Sequence, residues 1–345
     1  MTTPPYRVER ANPRLVQEAV VALWRGNLGA GIDLHKKYQW LYGEEAEQPG
    51  DIYLLYVSTQ STPVGACGLV PRRFMVPGRV VKAAVLSDLV VDKQHRTLFP
   101  AMLLQKSVVE DGGRRYDLIY GFPNANAKPL FRRLGYMPLG RMVRFTRIVN
   151  AKQKLKARFH TSIAAVLAPI ANLVLAVDFL LKKRQGLECV KFNWNDANIE
   201  LWPMSRIHQA AVHGLRDSLF LHHRYAKNPS ENYELMGIFG PKNLFEGYAV
   251  VHTSQDVMHV DDLFVNQDKT AVALLALIRE AKKRTVTSMH VEMLETPQQL
   301  IFSKSAGLLA RENREIYYFT AGDAPLRNIL SGSEAWFLTA ADEDQ

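Results

Sequence analysis

The reading of this chain turns on Val85-Leu-Ser-Asp-Leu-Val-Val-Asp-Lys-Gln-His-Arg-Thr-Leu-Phe-Pro-Ala101. The apolar run at Leu89, Val90 and Val91 predicts a buried strand. A polar turn follows, and the spacing of Leu103, Leu104 and Val108 predicts a helix over 102–111, stopped at Gly112-Gly113. A strand that ends at a helix start presents free backbone N–H groups, which suit a phosphate. Many α/β proteins contain such a turn, so the stretch alone names no ligand.

Upstream, Asn12 to Tyr42 reads as helical, with Val16, Val20 and Leu23 along one face. An acidic loop closing at Pro49-Gly50 leads to strands over 51–58, 64–70 and 80–91. Gly65 and Gly68 lie inside the second of these, where a ligand or another chain segment can approach closely. Downstream, Tyr116-Asp-Leu-Ile-Tyr-Gly-Phe-Pro123 gives one more strand. Asn124 to Tyr136 then reads as a short helix with Pro129 in its first turn and Gly135 ending it. The pattern is a mixed α/β sheet.

With 345 residues the chain is long enough for two domains. Its two cysteines, Cys67 and Cys189, are far apart and lack metal-type spacing, which argues against a disulfide scaffold or zinc and for a reducing compartment. Met1-Thr-Thr-Pro-Pro-Tyr6 has neither the basic start nor the apolar core of a signal peptide. The formal charge of +9 points to anionic partners: cofactor phosphates, nucleic acid or an acidic membrane face. No H-x-x-x-H or comparable spacing occurs, and no metal is expected.

Residues 151–188 differ in character. Basic clusters at Lys152 to Arg158 and Lys182-Lys-Arg184 flank an apolar stripe running from Leu155 to Leu180. Three readings stand for 155–181: a linker helix packed on the domains, a helix lying in a membrane interface, or a span, against which Pro169, Asn172 and Asp178 count. The region after it echoes the first half. Strands are expected over 233–239, 248–252, 259–265 and 289–294. Asp262-Leu263 falls against Asp88-Leu89 and Gly307 against Gly135, at offsets that differ by only two residues. That regularity points to a duplicated domain. The tail 323–345 is small and polar and reads as loosely ordered.

With these residues in view, the chain resembles the GCN5-related N-acetyltransferase (GNAT) superfamily, as a tandem pair. The matching parts are strand 86–91, loop 94–101, strand 117–122 and Asn124…Ala127…Phe131…Gly135-Tyr136, similar to the family's N-x-x-A-x-x-x-Y-x-x-x-G-F/Y. Arg96-Thr-Leu-Phe-Pro-Ala101 is similar to its Q/R-x-x-G-x-G/A loop, with Phe99 at the first Gly, where it narrows the approach to a pyrophosphate. Gly121-Phe-Pro-Asn124 also resembles members associated with bacterial cell-envelope polysaccharide synthesis.

The resemblance implies an α/β (α+β) fold of two GNAT-like domains, each a mixed, mostly antiparallel sheet flanked by helices. They would occupy 1–150 and 189–322, joined by the helical linker 151–188, with the second degenerate. It implies an N-acyltransferase using acetyl-CoA or another acyl-CoA, without metal, that transfers directly to a small amine, an amino sugar among the candidates. Acyl-CoA would lie against Leu89, Val90, Val91, Arg96, Thr97, Leu98, Phe99, Ala101, Met102, Asn124, Ala127 and Phe131. Asp88 would be the general base; the alternative is a turn cap or a partner for Arg96 or Lys82. Asn124 would contact pantetheine, cap its helix, or both. Phe131 stands where the family's acid is a Tyr, leaving Tyr136, Tyr120 or water for that role, or a first half that only binds acyl-CoA. Asp268 argues against a phosphate in the second half, whose His222-His223, His259 and Asp261-Asp262 either line an acceptor cleft or are ordinary surface groups. No DNA partner is expected. The competing functions are a Fem-like transferase drawing on charged tRNA and a non-catalytic acyl-CoA-binding scaffold. The expected location is cytoplasmic, with contact at the inner membrane face through 155–181 if that helix is interfacial.

Overall fold

The computed structural model describes residues 6–27, 33–43, 48–151, 169, 172–173, 186–195, 199, 202, 204, 207, 210–322 and 324–343. All but three residues of the basic-flanked stretch 155–181 therefore lie outside the described residues. Among the described residues, no helix is long and apolar enough to cross a membrane.

The first half begins with β1 (Tyr6–Ala11) and two helices, α1 (Pro13–Arg25) and α2 (Leu34–Tyr42). Local chemistry starts each helix. Asn12 accepts from the Arg14 N–H at 3.0 Å, and Asp33 accepts from the N–H groups of His35 and Lys36, both at 3.1 Å. Strands β2 (Asp51–Val57), β3 (Pro63–Val76) and β4 (Arg79–Val91) form an antiparallel meander. Helix α3 (Leu98–Gly112) crosses over and buries Leu104, Val108 and Val109. It returns the chain to β5 (Leu118–Gly121), which runs parallel to β4. The short helix α4 (Lys128–Arg133) and β6 (Met137–Ile148) follow.

The same order then runs again. β7 (Glu188–Phe192) and β8 (Val212–Gly214) lead to a short helix, α5 (Ser218–Leu221). β9 (Glu234–Phe239), β10 (Phe245–Ser254) and β11 (Val257–Val265) make a second antiparallel meander. α6 (Thr270–Lys283) crosses to β12 (Ser288–Leu294), parallel to β11, and α7 (Pro297–Ser305) leads to β13 (Leu309–Phe319). All of this joins in one sheet, ordered β1-β2-β3-β4-β5-β13-β6-β12-β11-β10-β9-β7. The halves trade their last strands: β13 pairs with β5, and β6 pairs with β12. This mixed, mostly antiparallel, helix-flanked sheet is the α/β architecture expected. The exchange was not foreseen.

The expectation of a loose tail is corrected. Helix α8 (Ala324–Leu330), β14 (Trp336–Phe337) and a capped turn at Ala340–Asp342 pack against the sheet. Trp336, Phe337 and Leu338 are buried, each contributing roughly 1.5–3 kcal/mol, enough to offset the ordering of a few residues. Asp342 and Glu343 are buried too, paired with Arg216 and Arg314. The sequence's acidic ending hides these partners because the arginines lie far upstream.

Candidate active site

β4 and β5 hold each other through only three pairs, Ala83↔Leu118, Ala84↔Ile119 and Val85↔Tyr120. β5 stops at Gly121 while β4 continues to Val91, so the strands part and leave a groove of about 1410 Å³. Leu89, Val90 and Val91 line it from β4; Arg96, Thr97, Leu98 and Ala101 from the turn and α3; Asn124, Ala127 and Leu130 from the far side. At its end α3 begins without a side-chain cap, because Thr97 is extended and makes no capping bond. The first-turn N–H groups of a helix have no intrahelical acceptor, and Pro100 has none to offer. Partial positive charge is thus concentrated at the groove.

Of the residues expected to hold acyl-CoA, nine meet in this groove and three do not. Phe99 points outward, 47% exposed, with its ring 6.2 Å from that of Tyr6, so it does not narrow the groove. Met102, half-buried on α3, is not in the groove lining. Phe131 is enclosed in the core, 4.5 Å from the Tyr136 ring and 5.9 Å from the Tyr317 ring. Asn124 caps its turn, accepting from the N–H groups of Asn126 at 3.1 Å and Ala127 at 3.0 Å, while also lining the groove. Arg96 folds back on the Val91 carbonyl at 3.3 Å and on Asn27.

Tyr136, expected as an acid, is not in the groove. Its hydroxyl is buried without a hydrogen-bond partner among the described residues, and burial pushes its pKa well above the ordinary phenol range. Tyr120 is buried as well and donates to the Asp342 carbonyl at 2.7 Å.

Asp88 sits at a kink. β4 breaks register between Ser87 and Val90, and Asp88 has φ +52° in this bulge, an unusual conformation for a side-chain-bearing residue. Its carboxylate is not tied to Arg96 or Lys82. Lys37 Nζ donates to Oδ1 at 2.8 Å, while Ser87 at 2.9 Å and Tyr42 at 3.3 Å donate to Oδ2. The close approach anticipated at Gly68 is that of the Tyr42 ring: a Cβ on Gly68 would lie 2.0 Å from the Tyr42 hydroxyl oxygen.

Lys37 also lies in the wall of a second space, a cleft of about 1330 Å³. Trp40 accompanies it from the first half. β10, β11 and β12 contribute His252, His259, Asp261, His290 and Glu292. His252 Nδ1 lies 2.6 Å from Asp261 Oδ2. The His252 and His259 rings stack at 4.6 Å and 6°. Burial alone would lower the His252 pKa, but the hydrogen bond and charge of Asp261 outweigh it and the net shift is upward. Burial, and then His252, push His259 down. Burial favours a neutral Glu292, but Arg314 and Arg144 prevail and lower its pKa.

Of the second-half residues singled out in the sequence, His259 and Asp261 line this cleft. Asp262 is fully buried, bonded by Arg216, Tyr248 and Thr339. His222 is held by the carbonyls of Ser218 and Trp194, and His223 by that of Trp40. The sequence reading missed Lys37, His252 and His290. His252 was accessible in principle: Gln255 and Asp256, both at positive φ, form a tight turn that pairs His252 with His259 across the hairpin. No group of three or more His, Cys, Asp and Glu among the described residues is arranged to hold a metal ion.

No family model matches the chain, and no curated protein matches it in sequence. Solved structures do match its fold. A conserved protein from Enterococcus faecalis V583, described as a "Probable N-Acyltransferase", has a TM-score of 0.65 at 12% identity, over 92% of this chain and 72% of its own. A GCN5-related N-acetyltransferase from Kribbella flavida gives 0.58 at 14% identity, over 92% and 71%. Saccharomyces cerevisiae N-myristoyltransferase with bound myristoyl-CoA gives 0.56 at 11%, over 92% and 85%. The fold is that of the GCN5-related N-acetyltransferases.

Proposed function

We propose that this protein is an acyl-CoA-dependent N-acyltransferase that binds its donor in the groove between β4 and β5 and its amine acceptor in the neighbouring cleft. One observation carries the reading: the Asp88–Lys37 ion pair connects the two spaces. Lys37 lines the cleft, and Leu89, next to Asp88, lines the groove. The N–H groups at the start of α3 suit the pyrophosphate of CoA, with Thr97, Leu98 and Ala101 around it. Leu89 to Val91 on one side and Asn124 to Ala127 on the other offer pantetheine an apolar channel with an amide at its edge. The acyl-CoA-binding and acyltransferase neighbours in the same fold support this donor class.

In the reaction the amine nitrogen attacks the thioester carbonyl carbon. The C–N bond forms, the C–S bond breaks, CoA leaves as its thiolate, and the amine gives up a proton. The open β4 edge would supply N–H groups to the carbonyl oxygen as charge develops on it. An amino sugar suits the acceptor side, where the half-buried Tyr233 ring and the polar atoms of Asn228, Ser230 and Glu231 line the wall.

Acetyl-CoA is expected to raise the melting temperature, and thiol release from it should depend on an added primary amine. No thermal shift at millimolar acetyl-CoA would sink the reading.

A further inference from the structure

β4 and β11 hold the same place in their halves, each antiparallel to the strand before it and parallel to the strand after it. Each breaks register at an aspartate: β4 at Asp88, and β11 at Asp261, between the partners of Val250 and Val251. The partners of these two carboxylates differ in kind. Both Asp88 oxygens already accept, Oδ1 from the Lys37 ammonium and Oδ2 from Ser87 and Tyr42, so this carboxylate is held as half of an ion pair. Asp261 instead pairs with an imidazole, His252, at 2.6 Å through Nδ1. His252 Nε2 has no hydrogen-bond partner among the described residues, and the side chain, 11% exposed, lies in the cleft wall. A carboxylate on one ring nitrogen fixes the tautomer and leaves the other nitrogen's lone pair available.

We propose that His252, oriented by Asp261, accepts the proton of the attacking amine, so that the acceptor side supplies the base and Asp88 with Lys37 shapes the junction. This rests on the acyltransferase reading. The acceptor nitrogen arrives as an ammonium; His252 Nε2 takes one proton from it and passes that proton to solvent. The freed nitrogen then bonds to the carbonyl carbon as the C–S bond breaks, and its second proton goes to the departing thiolate. Neighbouring elements hold the ring: His259 of β11 stacks on it, and Tyr233 meets it edge-on at 5.3 Å. The charged and titratable groups lining the cleft with it are Asp261 and His259 on β11, Glu231 and Tyr233 before β9, His290, Glu292 and Arg144 on β12 and β6, Arg314 on β13 and Lys37 on α2. Burial, and then His252, hold the His259 pKa down, while Asp261 and then Glu231 raise the affinity of His252 for a proton. The base form is therefore reached at higher pH than in an ordinary histidine, and the rate has an acid limb there.

The test measures thiol release from acetyl-CoA across pH for the wild type and for H252Q, D261N and D88N. The nucleophiles are glucosamine, ethanolamine, lysine and spermidine, which as ammonium ions must shed a proton before they can attack, and hydroxylamine, which is largely unprotonated at neutral pH. With the best amine, H252Q is expected to lose at least about a hundredfold in rate, while hydroxylamine transfer changes by no more than a few-fold. D261N should move the acid limb to lower pH, and D88N should keep it in place. The acetyl-CoA thermal shift should persist in H252Q and D261N. Equal losses with both nucleophile types, an acid limb intact in H252Q, or its disappearance in D88N alone would overturn the assignment. A wild type silent with every amine overturns the acyltransferase reading, and this inference with it.

Discussion

The two halves contain the same gap and treat it in opposite ways. Between β4 and β5 the parting strands leave an open groove with an uncapped helix at its end. Between β11 and β12, which share four pairs, the corresponding space is filled by the chain's own C-terminal segment. Thr339 bridges to Met293, the Leu294 N–H donates to the Leu338 carbonyl at 3.0 Å, and Thr339 Oγ1 donates to Asp262 at 2.7 Å. The helix starts differ as well. α6 is preceded by a turn carrying Asp268, and Thr270 Oγ1 donates back to the Gln267 carbonyl. One wedge is thus left open, as the proposed donor site, and the other is filled and acts as a buttress that still turns its polar face to the cleft.

Breaking the plug should have the largest effect. Arg216 pins it through Asp262 at 2.9 Å and Asp342 at 2.7 Å, with side chains no more than 1% exposed. Arg216→Ala leaves two buried carboxylates uncompensated and is expected to cost about 3–5 kcal/mol in urea unfolding. A loss below 1 kcal/mol would mean that the plug does not depend on this pair.

The seam between the halves is the next target. His223 and Trp40 exchange hydrogen bonds at 2.8 and 2.9 Å, ring N–H to carbonyl in each direction. Burial lowers the His223 pKa to about 4, despite the opposing influence of the Trp40 carbonyl. An unfolded histidine takes its proton near 6.5, so the unfolded state binds more protons between those values. Stability should be complete above pH 6.5 and fall as pH drops toward 4, by up to about 3 kcal/mol from this residue. His223→Gln should flatten that slope in denaturation measured across the window; an unchanged slope would exclude His223 as its source.

On the donor side, Ala101→Asp places a carboxylate in the groove lining at the start of α3. It should weaken acetyl-CoA binding at least about tenfold, ~1.4 kcal/mol, in calorimetry while slightly favouring the helix. Phe99→Gly is the smallest change. Because Phe99 packs outward on Tyr6, acetyl-CoA affinity should move by less than about threefold, with stability lowered by roughly 0.5–1 kcal/mol. A gain of tenfold in affinity would show that Phe99 does obstruct the groove.

Much of the groove between β4 and β5 was legible in the sequence because its parts are local. A strand, a turn and a helix start within Val85 to Ala101, and the Asn124–Ala127 turn, carry their own signals. The strands that trade places were not legible. β6 carries Arg141, Arg144 and Arg147, and β13 carries Arg311, Glu312, Asn313 and Arg314 after its first two residues, so neither shows clean alternation. These charges are answered across strands, Arg144 by Glu292 and Glu312, and Arg314 by Glu292 and Glu343. The same distance in sequence hid Lys37 from Asp88. Tyr136 was misjudged because a motif position says nothing about which way a ring faces in the core.

The central claim, one open wedge and one plugged, is tested most directly by titrating acetyl-CoA calorimetrically into the wild type and Ala101→Asp. One site per chain is expected, lost or weakened at least about tenfold in the variant. Two sites per chain, or a single site unaffected by Ala101→Asp, would contradict it.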